Sequence, residues 1–169
     1  MGDSIGLPSE GMNARRIARL RPGRLRQSLV FGKGMVSDDT EHAVMTLLSL
    51  MDHDGDSQKF ASALACRLRW WLASVPAGIG LATARSLVKI WLGFKPANSG
   101  VFSAGNGPLM RAPMIGVWFS GDGVKRNEFV RVSTLITHRD PRAIEAARMV
   151  AHAVALVVTG TLTDEEILE

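Results

Sequence analysis

The stretch Val36-Ser37-Asp38-Asp39-Thr40-Glu41 sets two adjacent carboxylates between two hydroxyl side chains, directly before an apolar run. The apolar residues that follow recur at helical spacing, which predicts an amphipathic helix from about Asp39 to Met51. Asp38 and Glu41 have the spacing of a capping box, in which Asp38 caps the helix and Glu41 reaches back to it. Two interpretations of the acidic pair remain open: a helix start, or half of a site for a hard cation.

Further helices are predicted along the chain. Apolar periodicity indicates one over residues 60–72 and another that ends near Trp91. Pro141 favours the first position of a later helix, for which Thr137 or Asp140 provides the cap.

Other segments give weaker signals. Residues 12–36 are predicted to form a basic loop, in which Gly32 and Gly34 give freedom just before the acidic stretch, and residues 93–105 a long loop. Residues 129–136 fit a strand and a helix equally well. Thr163 and Glu166 form a second capping box near the end of the sequence.

Composition predicts one soluble globular domain over residues 1–169, since 46% of the residues are hydrophobic and 21% are charged. The longest apolar stretch, Ala153 to Val158, is far shorter than the roughly 20 residues that span a bilayer, so we expect no membrane segment. Cys66 is the only cysteine and no secretory signal is recognisable. We therefore expect a cytoplasmic protein.

The net charge of +4 is mild, and much of the excess lies in one arginine-rich segment. Such a segment could bind nucleic acid, but it lacks interleaved aromatic residues, and Pro22 and Gly23 interrupt any helix through it. A solvated loop is the favoured interpretation. The residues concerned are Arg15, Arg16, Arg19, Arg21, Arg24 and Arg26.

Two other motifs are weak. The segment Asp52-His53-Asp54-Gly55-Asp56 resembles a calcium loop, but its glycine stands at the fourth position and Ala63 replaces the bidentate glutamate, which favours an interhelical turn. Gly78-Ile79-Gly80 suggests a dinucleotide loop, but a helix precedes it where that fold requires a strand.

Asn106 stands between Gly105 and Gly107, where its amide and the neighbouring backbone N–H groups could face an anion. Arg111 would add positive charge nearby. A simple turn is the alternative, and spacing alone favours that alternative.

Taken together and in order, four segments resemble the ADP-ribosylglycohydrolase family, which includes the dinitrogenase reductase-activating glycohydrolases. Each motif is weak alone, but four in register are specific. The segments are Gly2-Asp3-Ser4-Ile5-Gly6-Leu7-Pro8-Ser9-Glu10, Ser37-Asp38-Asp39-Thr40-Glu41, Gly105-Asn106-Gly107 with Met110, Arg111 and Pro113, and Thr137-His138-Arg139-Asp140-Pro141.

This resemblance implies an all-α fold, an orthogonal multi-helix bundle of the ADP-ribosylglycohydrolase type. It also implies a site with two Mg²⁺ or Mn²⁺ ions that hydrolyses the N- or O-glycosidic bond between ADP-ribose and an acceptor. Family members carry a late Gly-Asp-x-Asp-Thr motif and a helical segment before the first Gly-Asp, and this sequence has neither. We therefore expect an incomplete bundle, truncated at both ends.

The resemblance assigns site residues by position. Arginine-specific members tend to have Asp where this chain has Gly78, which puts arginine-linked substrates in doubt. The implied metal ligands are Ser37, Asp38 and Asp39, the implied catalytic residues are Glu10 and Asp39, and the residues implied to bind the diphosphate, ribose and adenine are Gly105, Asn106, Gly107 and His138.

Three hypotheses follow for function. The first is a glycohydrolase with little or no activity, because its second metal site is incomplete, acting on an ADP-ribosylated protein or an ADP-ribose-containing small molecule. The second is a non-catalytic module that binds ADP-ribose or a related nucleotide, and the third is a basic helical protein that binds nucleic acid. Exposed apolar faces, including parts of residues 156–158, are expected to favour self-association.

Overall fold

A computed structural model describes residues 2–21, 23, 26–27, 29, 34–76 and 79–161. Over these residues the chain forms nine α-helices, one 3-10 turn at Leu7–Ser9 and no strand, so the expected all-α fold is confirmed. The helices are α1 Gly2–Gly6, α2 Ala14–Leu20, α3 Asp38–His53, α4 Ser57–Ala73, α5 Leu81–Trp91, α6 Pro96–Ser99, α7 Ala112–Trp118, α8 Gly123–Thr137 and α9 Pro141–Val158.

The hydrophobic core lies where α3, α4, α7, α8 and α9 pack together. Phe129 of α8 is at its centre, with ring centroids 5.0 Å from Phe60 and 4.6 Å from Phe119. Leu64 and Ile136 are fully buried beside these rings. Each such side chain contributes about 1.5–3 kcal/mol through burial, so this cluster holds α8 rigidly in the centre of the molecule.

Helix α7 approaches α9 very closely because one residue of the contact has no side chain. A Cβ atom on Gly116 would lie only 2.5 Å from the carbonyl oxygen of Ala151. The facing residues of α9, Ala147, Ala151 and Ala155, are small and buried. This contact fixes the distance of α7 from the rest of the bundle.

Side-chain caps start most of the long helices, and one cap differs from the sequence prediction. Ser37, and not Asp38, caps α3: its Oγ accepts a hydrogen bond from the Asp39 N–H at 3.2 Å. Glu41 does not reach back, since its carboxylate accepts a 2.6 Å hydrogen bond from the Trp71 indole N–H. The predicted capping box of Asp38 and Glu41 was therefore wrong: the cap lies one residue earlier, and Glu41 bonds to Trp71. By contrast, α9 is capped by Asp140, one of the two caps that the sequence allowed.

Three segments differ from their predicted structure or resolve an ambiguity. The predicted loop 12–36 contains α2, which Asn13 caps, and the predicted loop 93–105 contains α6. Residues 129–136 are helical. Helix α8 is buried on several sides, so apolar residues occur around most of it and no clear period appears in the sequence.

Some predictions concern residues that the structure does not describe, namely Arg24, Gly78 and the capping box of Thr163 and Glu166. Among the helices that are described, none combines the length and apolar character needed to cross a bilayer. At the end of α9, Val157 and Val158 are 39% and 51% exposed, in line with the apolar exposure expected there.

Candidate functional site

A cavity of about 360 Å³ brings together nearly all of the site residues predicted from the sequence. Its walls come from the N-terminal segment, the starts of α3 and α5, the loop before α7, and the residue after α8. The predicted residues that line it are Glu10, Asp38, Asp39, Gly105, Asn106, Gly107 and His138. Ser37 lines an adjoining cavity of about 260 Å³, together with Asp3, Glu10 and Asp39.

One wall of the cavity is acidic. Burial raises the pKa of Asp38, and the negative charges of Asp39, Glu10 and Glu41 raise it further. Repulsion of this kind shows that the wall holds more negative charge than its surroundings neutralise. Asp38 and Asp39 stand side by side on the first turn of α3, with Ser37 just before them.

Asp3 supports this wall, and the sequence reasoning gave it no role. Its Oδ2 accepts hydrogen bonds from the Ser37 backbone N–H at 2.9 Å and from the Thr40 hydroxyl. Burial raises the pKa of Asp3, but these hydrogen bonds outweigh burial and leave it below its ordinary value. Asp3 therefore ties the N-terminal segment to the start of α3. The sequence feature that could have pointed to Asp3 is its position within the family-like segment from Gly2 to Glu10.

Another part of the cavity wall offers hydrogen-bond donors. Helix α5 starts at this wall without a side-chain cap, and Gly80, Leu81, Ala82 and Thr83 line the cavity. The first N–H groups of a helix carry partial positive charge and attract anions. A helix with Thr83 near its start and its end near Trp91 was predicted, but its start was given no role in the site, because local sequence does not show which way a helix end faces.

The loop before α7 adds two further donors to this wall. The backbone N–H groups of Asn106 and Gly107 have no acceptor among the described residues, and Asn106 is exposed. The N–H of Gly105 is already used, because it donates to Ser103 Oγ at 3.2 Å. The N–H groups of Asn106 and Gly107 are therefore candidate donors to a ligand in the cavity.

His138 forms the floor under this loop and is only 2% exposed. Cβ atoms on Gly105 and Gly107 would lie 3.0 Å from its Nε2 and Cε1, so both glycines are needed for the loop to sit on the ring. Burial, and then the charge of Arg111, lower the pKa of His138 to about 4. The imidazole is therefore neutral at physiological pH.

Backbone hydrogen bonds position His138 and the preceding loop. Val101 and His138 form an isolated parallel bridge, in which the Val101 N–H donates to Thr137 O at 3.1 Å and the Arg139 N–H donates to Val101 O at 3.0 Å. Gly100 permits this approach, since a Cβ there would lie 2.5 Å from Leu135 O.

Arg111 does not line the cavity, contrary to the expectation that it adds charge there. Its side chain is fully buried beneath the loop, where it donates to Ser133 Oγ at 3.1 Å, to Ser133 O at 3.2 Å and to Thr137 Oγ1 at 2.7 Å. Its fourth partner is His42 Nδ1 at 3.3 Å. Burial lowers the pKa of Arg111 to about 9, which still leaves it charged at neutral pH.

An apolar groove of about 490 Å³ runs between α3 and α7 beside the cavity. Asp39, Asn106 and Met110 line both. The remaining residues of the groove are Thr40, Ala43, Val44, Leu47, Leu109, Pro113 and Met114. Val44 is 49% exposed, so this face of α3 is uncovered.

Comparison with known proteins gives two matches. A sequence model described as ADP-ribosylglycohydrolase matches residues 1–169. A protein of Archaeoglobus fulgidus, described as an uncharacterized protein, is 32% identical over 177 residues, which cover 100% of this chain and 56% of that protein. The chain thus spans little more than half the length of this relative.

Proposed function

We propose, from the premise that this chain belongs to the ADP-ribosylglycohydrolase family, that its cavity binds ADP-ribose and takes part in hydrolysing the glycosidic bond between ADP-ribose and an acceptor. The observation that carries the proposal is that one cavity is lined both by the acidic residues Glu10, Asp38 and Asp39 and by the start of α5 with the loop at Asn106. A diphosphate suits the start of α5 and the N–H groups of Asn106 and Gly107. The ribose then lies toward the acidic wall.

The acidic wall suits one hydrated divalent ion. Asp38 and Asp39 would be its carboxylate ligands and Ser37 its hydroxyl ligand, and oxygen ligands of this kind are those that Mg²⁺ and Mn²⁺ prefer. The raised pKa of Asp38 supports this fit, because a cation would relieve the repulsion. When bound, such an ion would polarise the ribose hydroxyls and a water molecule.

The described residues offer too few metal ligands for two ions. Within the part of the chain that the structure describes, no group of three or more His, Cys, Asp or Glu side chains is placed to hold a metal ion. Mg²⁺ binds weakly to one or two carboxylates. The proposal therefore includes weak metal binding and low hydrolytic activity for this chain.

Glu10 is the proposed proton acceptor. It lines both the main cavity and the adjoining one that contains Ser37, and its side chain is exposed to solvent. In the proposed step a water oxygen forms a bond to the anomeric carbon and the bond to the acceptor breaks. The water proton passes to the Glu10 carboxylate, and the acceptor leaves with a proton from solvent.

Binding can be measured by calorimetry with ADP-ribose. We expect Asn106→Ala to weaken binding about tenfold, because the side-chain amide of this exposed residue is lost beside the donor wall. Asn98→Ala is the matched control, since Asn98 is also exposed but lies on α6 away from the cavity. A parent chain that does not bind ADP-ribose would contradict the proposed function.

Metal binding can be measured by thermal unfolding with and without Mg²⁺ or Mn²⁺. An ion at about ten times its Kd should stabilise the parent by about 1.4 kcal/mol, or roughly 3–6 °C. Asp38→Asn should abolish this gain and should raise the Tm of the metal-free chain slightly, since it relieves repulsion with Asp39. Asp54→Asn, on the exposed turn after α3, should change neither value. Equal stabilisation of the Asp38→Asn variant would rule out the assigned ligands.

A non-catalytic ADP-ribose-binding module is the alternative. This alternative is supported by the difference between the two parts of the cavity wall. One part has several N–H donors for a diphosphate, whereas the acidic part has few ligands for a metal ion. Release of ADP-ribose from an ADP-ribosylated protein in the presence of Mn²⁺ distinguishes the two, because the module binds ADP-ribose and releases none.

The proposed substrates are ADP-ribosylated proteins or small molecules that contain ADP-ribose. The proposed location is the cytoplasm, in keeping with the single and exposed Cys66. Self-association is also proposed, through the apolar groove and the exposed end of α9.

A further inference from the structure

A buried chain of hydrogen bonds leads from Arg111 through Thr137 to His138. Arg111 donates to Thr137 Oγ1 at 2.7 Å, and Thr137 Oγ1 lies 2.9 Å from His138 Nδ1. Arg111 and Thr137 are fully buried, and His138 is 2% exposed. Because all three groups are buried, the positions of their hydrogens can be assigned by counting hydrogen-bond donors and acceptors.

The count begins at Arg111, which can only donate. Thr137 Oγ1 accepts that hydrogen bond and keeps one hydrogen of its own, for which His138 Nδ1 is the only partner among the described residues. If Nδ1 carried the proton instead, the buried Thr137 hydroxyl hydrogen would have no acceptor. An unsatisfied buried donor disfavours that arrangement by about tenfold or more. Thr137 therefore donates to Nδ1, and the proton of the neutral ring lies on Nε2.

The Nε2 edge of the ring faces Gly105 and Gly107 of the loop before α7. Gly105 and Gly107 lie against Nε2 and Cε1, where a side chain on either glycine would cover this edge at 3.0 Å. His138 lines the cavity, and Nε2 has no hydrogen-bond partner among the described residues. The protonated nitrogen is thus the one that a bound molecule can reach.

We propose that Arg111 and Thr137 are positioning residues that fix His138 in the Nε2–H tautomer, so that the imidazole presents one neutral N–H donor to an acceptor atom of the ligand. The inference rests on the proposed function for the identity of the ligand, a nucleotide of the ADP-ribose class. The acceptor is an oxygen or an unprotonated ring nitrogen of that nucleotide. A ligand group that can only donate is disfavoured at this point.

Nitrogen NMR of histidine-labelled protein at pH 7.5 tests the tautomer directly. Long-range proton–nitrogen correlations separate a protonated ring nitrogen from an unprotonated one, and His138→Gln identifies the signal. We expect Nδ1 to be unprotonated in the parent and in Thr137→Ser, which keeps the hydroxyl. Thr137→Val removes it, and both tautomers should then be populated. A parent in which His138 carries its proton on Nδ1 would overturn the proposal, whatever the fate of the variants.

Addition of ADP-ribose to the same samples separates this inference from the proposed function. A downfield shift of the His138 Nε2–H proton supports donation to the ligand. Shifts of the Asn106 and Gly107 amides show when binding is saturated. If the Nε2–H signal of His138 does not change at saturation, the donor role is overturned. If ADP-ribose shifts no signal, the proposed function fails. The spectra of the unliganded parent, Thr137→Ser and Thr137→Val then still decide whether the Arg111–Thr137 hydrogen bonds fix the tautomer of His138.

Discussion

Replacing Arg111 by methionine is expected to lower the free energy of unfolding by about 3 kcal/mol, although the change removes a buried charge. The guanidinium is fully buried and satisfies Ser133, Thr137 and His42, and none of these can find an equivalent donor in a thioether. Relief from burying the cation acts in the opposite direction, which is why the loss is smaller than four hydrogen bonds would suggest. Urea unfolding at pH 7.5 measures the difference.

Lysine should not rescue this position. A lysine ammonium cannot reproduce the forked geometry with which Arg111 contacts α3 and α8 together. Arg111→Lys should therefore also lower the free energy of unfolding, by about 2 kcal/mol or more. Arg131→Met is the matched control, because Arg131 is exposed on α8 and should change stability by less than about 0.5 kcal/mol. If Arg111→Met lies within about 1 kcal/mol of the parent, Arg111 is not an organising residue of the core.

Stability should fall steeply between pH 6.5 and pH 4. Burial, and then the charge of Arg111, lower the pKa of His42 to about 3 and that of His138 to about 4. In this range the unfolded chain binds a proton at each histidine and the folded chain does not, so acid favours unfolding. Each group contributes about 1.4 kcal/mol per pH unit, and the pair about 2.7.

Urea midpoints at half-unit pH intervals measure this slope. The histidines dominate this window. The pKa of Asp3 lies below its ordinary value, so Asp3 contributes at lower pH, and the raised pKa of Asp38 acts in the opposite direction at the acidic end of the window. His42→Gln should therefore roughly halve the slope, even if it lowers stability at every pH. A parent whose stability is flat from pH 6.5 to pH 4 would show that these histidines are not buried as neutral groups.

The motifs predicted that Asp38, Asp39 and the loop at Asn106 would lie near one another, and the structure brings them to one cavity because each is a short segment whose residues reach it together. Asp38 and Asp39 fall on one helix turn, and Asn106 lies between two glycines that a neighbouring ring requires. The start of α3 was misplaced by one residue, since Ser37 and Asp38 are both good caps and only the tertiary contacts of Asp3 and Trp71 decide between them.

The rest of the site depends on long-range packing and left little local signal. Helix α5 faces the cavity because of how it packs on α4 and α8, which no property of Gly80 encodes. Arg111 seemed a ligand-binding residue from its charge and its place after the loop. Its burial follows from acceptors supplied by α3 and α8, far away in sequence.

The close contact of Gly116 with α9 also restrains the segment that carries the loop at Asn106. Helix α7 rests on Ala151 with no room for a methyl group, and Arg111 stands five residues earlier in the same segment. The position of the loop at Asn106 therefore depends in part on a helix contact that does not itself line the cavity. A designer who grafted residues 105–111 onto another helical scaffold would transfer the donors but lose their spacing from Asp38.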